Sequence, residues 1–289
     1  MNIILGASGQ VGAMIVENLV KKGKPVTAVI RDQKKKEKLK EVGVEIVVAD
    51  NLDVNSLISA FGKGETVFLL TPESGEDENV LGKTETILEN YFSALKASSV
   101  KRIVGLSSIG AQHASGTGNL VMSYMLEHAF SDLDVSQTFV RPAYYLSNWL
   151  PYADSAKETG ILPTFFPVDF SISMVAPRDV ADLLTEIIAE EEEGNFLYEL
   201  YGADEYTPAD VAETFSNIFG RQVTAQQIPR NDWRKTLENL KFSEDGVRNF
   251  VEMTQAVIDG RTKAAGNGVI TKVGKTALSK YFYREIIGK

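Results

Sequence analysis

Residues 1–33 read MNIILGASGQVGAMIVENLVKKGKPVTAVIRDQ, with Gly6, Gly9 and Gly12 at three-residue steps between an apolar run and an amphipathic stretch. The run NIIL has strand character, and Met14, Ile15, Leu19 and Val20 share one helical stripe that ends near Gly23. A strand, a tight turn and a helix follow from this order. The first glycine suits the turn, the second lets backbone approach a pyrophosphate, and the third allows close packing of helix on strand. The helix then aims its free N–H groups and positive dipole end at phosphates. Turns use glycine for other reasons too, so the triplet gains its weight from standing at the first strand-to-helix junction.

The same alternation continues. NIIL, PVTAVI, VEIVV, ETVFLL, VKRIVGL, VSQTFV and FLYELY are short apolar runs that predict strands covered on both faces. Helical patterns separate them, among them LISAFGKG, TETILENYFSALKASS and PRDVADLLTEIIAEEEEG. Such alternation predicts βαβ units, hence an α/β Rossmann fold with a doubly wound parallel sheet flanked by helices. The basic stretch at 34–40 reads as a solvated helix face. From Ser147 to about Val175 the chain turns rich in Pro, aromatics and small residues, and from Ala203 it reads as mostly helical. We therefore expect a dinucleotide-binding domain of residues 1–148 plus 176–202, and a smaller, mostly helical substrate lobe of 149–175 plus 203–289.

Composition narrows the function. The 289 residues carry 30 Lys and Arg against 39 Asp and Glu, a formal charge of −9. An acidic chain repels polyanions, which argues against nucleic acid as a partner. The chain has no Cys, so disulfides and thiolate chemistry are absent, and no metal site is expected. No apolar run reaches membrane-spanning length, and the strand pattern starts at residue 2. The expectation is a cytoplasmic protein, not inserted in a membrane, that acts on a small molecule.

Arg31 follows the second strand, where NAD-preferring sites place an acid for the ribose 2′-hydroxyl. A guanidinium suits a 2′-phosphate through paired charge-assisted hydrogen bonds, so NADP(H) is favoured, while Asp32 leaves NAD(H) open.

The stretches ILGASGQVG, VIRDQ, VEIVVADNLDVNSL, ETVFLLTP, VKRIVGLSSIGA, FVRPAYYLSNW, APRDVAD and LYGADEYTPADVAETFSNIFGR together resemble the NmrA-like atypical short-chain dehydrogenases/reductases, in order and spacing up to about residue 230. That group includes bacterial quinone oxidoreductases and proteins labelled nucleoside-diphosphate-sugar epimerases. The resemblance implies that Gly6, Ser8, Gly9, Gln10, Val11 and Gly12 surround the pyrophosphate and that Arg31 meets the 2′-phosphate. It places Asp50 and Asn51 against adenine, and Leu70, Thr71 and Pro72 against the ribose and the bridge to nicotinamide. Pro142, Ala143 and Tyr144 would close the nicotinamide end. Asp50 suits a turn or helix cap equally well.

Active members of the wider class pair a Ser with a Tyr and a Lys four residues apart. Here Ser107 or Ser108 holds the serine position, but Tyr124 is followed by His128, and no Lys occurs between Arg102 and Lys157. A histidine one turn away titrates near neutrality and could take part of the Lys role. Registration on Glu127 instead puts Ser123 where relatives carry Lys and leaves Tyr124 and His128 as packing residues. His113 is a further titratable candidate, with a solvated loop position as its alternative. The aromatic set Tyr144, Tyr145, Trp149, Tyr152, Phe165 and Phe166 either walls a pocket for a flat ring or joins the two lobes.

Two functions stay open: an NADPH-dependent reductase of a quinone or small carbonyl compound, and a non-catalytic dinucleotide sensor that binds a protein partner. A homodimer is compatible with both. Epimerase activity is a weaker third reading, since it wants the missing Tyr and Lys.

Overall fold

The computed structural model describes residues 1–35, 39, 42–190, 192–266 and 268–288. Positions 36–38 and 40 of the basic stretch lie outside the described residues; Lys34 and Lys35 are exposed.

All seven runs form strands of one parallel sheet: β1 Asn2–Ile4, β2 Val26–Ile30, β3 Glu45–Val48, β4 Thr66–Leu70, β5 Arg102–Leu106, β6 Ser136–Pro142 and β10 Phe196–Tyr201. An eighth strand, β13 (Ile270–Val273), pairs in parallel with β10 at the edge. This corrects the mostly helical expectation for that part of the chain. Every residue of β13 is exposed, so it lacks the burial pattern that betrays a strand in sequence. The order is β13-β10-β6-β5-β4-β1-β2-β3. The chain winds outward from β1 in one direction and from β4 in the other, which opens a crevice above the carboxyl ends of β1 and β4.

Helices cover both faces. On one, α1 (Gln10–Lys21) packs against the long helix Pro177–Glu190, with Val16, Leu19, Val180 and Leu184 in a shared core. On the other, Leu57, Ile87, Tyr91 and Leu126 come from three further helices: α2 (Val54–Phe61), α3 (Val80–Lys96) and α4 (Val121–His128). A third apolar cluster joins Trp149, Phe166, Met174, Phe215 and Phe282 above the sheet. Two short sheets accompany it, pairing β8 (Ile161–Thr164) with β12 (Thr224–Gln227), and joining β7 (Tyr144–Tyr145), β9 (Ile172–Val175) and β11 (Glu205–Tyr206). The helix Pro208–Phe219 starts at a reciprocal cap between Thr207 and Asp210. Helix α9 (Glu244–Ile258) follows, and its Phe250, Met253, Thr254 and Val257 reach the central cavity. Among the described residues no helix is long and apolar enough to cross a membrane.

Candidate active site

The glycine loop is built as its spacing predicts. Gly6 has φ +61°, in the region that favours glycine, and turns the chain out of β1. A Cβ at Gly12 would lie 2.3 Å from the Gly6 carbonyl oxygen, so only glycine lets α1 sit this close to the strand exit. Gly9 is the N-cap and gives no side-chain cap, and the first turn holds no acid. The N–H groups of Gln10, Val11 and Gly12 belong to that turn, where no intrahelical carbonyl reaches. Gly6, Gly9 and Gln10 are exposed above buried Val11 and Gly12, with Ser8 half-buried. This cradle fits a dinucleotide pyrophosphate.

The other expected contacts fall along the same sheet edge. Arg31 is exposed just past β2. Asp32 accepts a hydrogen bond from the Lys34 N–H at 2.9 Å, so its carboxylate is engaged in a local turn. Asp50 likewise accepts a hydrogen bond from the Leu52 N–H at 3.0 Å. Asn51 is half-buried, and its carbonyl accepts from Asn90. Val48 and Leu52, 45% and 51% exposed, add an apolar surface on either side of this pair.

A cavity of about 550 Å³ opens at the carboxyl ends of β4, β5 and β6, lined there by Leu70, Thr71, Ser107, Ser108, Pro142, Ala143 and Tyr144. Tyr145, Trp149, Tyr152, Phe165 and Phe166 form further wall. Within this set Tyr144 meets Trp149 and Phe166 edge-on at 6.2 and 5.5 Å between ring centroids. Burial pushes the phenols of Tyr144, Tyr145 and Tyr152 above their ordinary pKa.

Ser107 is buried, and its hydroxyl donates to Glu127 Oε1 at 2.5 Å. Glu127 in turn accepts two bonds from Arg141, at 2.8 and 2.6 Å. Arg141 also lies 3.6 Å from Glu199, which accepts from the Tyr201 hydroxyl and the Ala265 N–H. Burial opposes the charge on Arg141, but Glu127 and Glu199 outweigh it and raise its pKa. The sequence marked Glu127 only as a register point; nothing local links residues 107, 127, 141 and 199.

Tyr124 and His128 do stand one turn apart, their rings stacked at 4.0 Å, and His128 Nδ1 contacts the Tyr124 carbonyl at 2.7 Å. Neither lines the cavity, whereas their neighbours Met122 and Ser123 do. His113 Nε2 contacts the Arg261 carbonyl at 2.8 Å and also lies off the cavity wall. The sequence reading missed several cavity residues, among them Phe250 and Met253 and, of polar character, Glu73, just past the end of β4, and its partner Asn119. A carboxylate directly after TP at a strand end was the available signal for Glu73.

Comparison with known proteins agrees with this architecture. The model of the NmrA-like family matches residues 2–281. Quinone oxidoreductase 2 of Escherichia coli is 27% identical over 253 residues, covering 87% of this chain and 85% of its own. An NAD(P)H azoreductase of Xenophilus azovorans is 25% identical over 248 residues, covering 86% and 81%. The crystal structure of the Escherichia coli NADPH-dependent quinone oxidoreductase in complex with NADPH superimposes with a TM-score of 0.79 at 25% identity, over 99% of each chain. On its glycine cradle, its sheet and a match across nearly its whole length, this chain belongs to the NmrA-like family.

Proposed function

We propose that the protein is an NADPH-dependent reductase that delivers hydride to a flat conjugated acceptor, a quinone first among them. The observation that carries this reading is an exposed glycine cradle beside an aromatic-walled cavity at the carboxyl ends of the strands, Leu70 both standing next to Gly6 and lining the cavity. When bound, a reduced nicotinamide supplies the hydride, and the protein orients it and admits the acceptor. Gly6 to Gly12 would hold the pyrophosphate, Arg31 the 2′-phosphate, Asn51 with Val48 and Leu52 the adenine, and Leu70, Thr71, Pro72, Ser107, Pro142, Ala143 and Tyr144 the nicotinamide end. The relatives that reduce a quinone or an azo compound with NAD(P)H support this choice of acceptor. In the same reading, residues 149–175 and 203–289 serve the substrate side, although β13 returns to the large sheet.

The test is NADPH oxidation across a panel of quinones, azo dyes, aldehydes and ketones, with NADPH binding measured separately by calorimetry. Turnover with quinones or azo dyes supports the reading. Tight NADPH binding without turnover on any acceptor would overturn it in favour of a dinucleotide sensor with a protein partner.

A further inference from the structure

Among the described residues that line the cavity there is no Lys, Arg, His or Asp, and one carboxyl group, that of Glu73. It leaves the end of β4 two positions after Thr71, beside the expected nicotinamide end. Its Oε1 accepts a hydrogen bond from Nδ2 of the buried Asn119, which fixes the carboxyl against the cavity wall. Glu73 is exposed as a residue, yet protein crowds its carboxyl, and this desolvation outweighs the Asn119 bond and raises its pKa.

No other lining group offers a proton as readily. The Tyr144, Tyr145 and Tyr152 phenols are held protonated by burial, and the Ser107 proton is directed at Glu127. Charged groups on the elements packed around Glu73 are engaged elsewhere or face solvent. Asp77 pairs with Lys83 at 2.6 Å. On α9, Asp245 pairs with Arg248 and accepts from the Val80 N–H. Glu76, Glu78 and Glu244 are exposed.

We propose that Glu73 is a catalytic residue of the reduction, bonding the polar atom of the acceptor and passing it a proton. The proposal rests on the reductase reading above. Conversion of a quinone to a hydroquinone takes one hydride, which brings both electrons, and one proton. The Glu73 O–H bond breaks as an O–H bond forms on the acceptor, and the carboxylate left behind regains a proton from water. The neutral carboxyl is the active form, so turnover falls as pH rises through its pKa.

The experiment compares the unaltered protein with Glu73→Gln and Glu73→Asp, using menadione as acceptor. Glu73→Gln should keep its NADPH affinity, lose about 10²-fold or more in turnover and lose the alkaline fall of the pH profile. Glu73→Asp should recover part of both. Independently of activity, infrared difference spectra against pH should show a protonated-carboxyl band persisting above the ordinary carboxyl range, missing from Glu73→Gln. If the unaltered protein reduces menadione and Glu73→Gln matches it in rate and pH profile, the proposal is overturned while the reductase reading stands. If the unaltered protein reduces nothing on the panel, both fall. Absence of the infrared band also overturns the proposal.

Discussion

The Ser107 hydroxyl donates to the Glu127 carboxylate at 2.5 Å, and the same carboxylate is gripped at both oxygens by Arg141. The Glu127, Arg141 and Glu199 side chains are 6%, 5% and 2% exposed, so this chain of charges is sealed inside the protein. Removing one member strands the others away from water.

We predict from this that Glu127→Ala destabilises the protein by about 3–5 kcal/mol, the usual cost of breaking a buried pair from one side. Denaturant unfolding of the variant measures it. A loss below about 1 kcal/mol, the scale of an exposed pair, would show that Arg141 is adequately held by Glu199 alone.

The glycine cradle separates a folding role from a binding role. A Cβ at Gly12 meets the Gly6 carbonyl at 2.3 Å, and the atoms in conflict are backbone. Gly12→Ala should therefore lower stability by about 1–3 kcal/mol, as overpacking does. At Gly9 the same carbonyl lies 3.1 Å away, and the residue is exposed. Gly9→Val is expected to keep the fold at a smaller cost in stability than Gly12→Ala and to lose dinucleotide binding, because its side chain enters the pyrophosphate path. Calorimetric binding and thermal unfolding of both variants decide; undiminished NADPH affinity in Gly9→Val would place the phosphates elsewhere.

Arg31 is exposed just past β2, while Asp32 accepts from the Lys34 N–H. NADPH should bind more tightly than NADH, and Arg31→Ala should remove most of the difference, about 1.5–3 kcal/mol for a charge-assisted contact. Equal affinities for the two cofactors in the unaltered protein would refute this.

Because Tyr124 and His128 stack on each other outside the cavity, Tyr124→Phe and His128→Ala should each retain full turnover of any acceptor the protein reduces. Loss of most of the rate in both variants, with NADPH affinity unchanged, would restore the pair to the chemistry.

The sequence by itself determined the sheet, seven of its strands and the glycine turn into α1. Those features are local: a buried parallel strand is an apolar run, a helix face is a periodic stripe, and a turn with φ near +61° selects glycine at Gly6. Only the tertiary structure decided that Ile270–Val273 joins the sheet, for an exposed edge strand is held by backbone bonds to β10 and leaves no pattern in its side chains. It likewise showed that Tyr124 and His128, which the sequence left between a catalytic pair and helix packing, do not line the cavity, since one helix has several faces and spacing does not say which one a cavity meets. The pairings of Ser107 with Glu127, Arg141 with Glu199 and Glu73 with Asn119 join residues 20 to 58 positions apart. Each depends on strands and loops that meet only when the sheet is wound, and a hydrogen bond between distant residues leaves no trace in the neighbourhood of either.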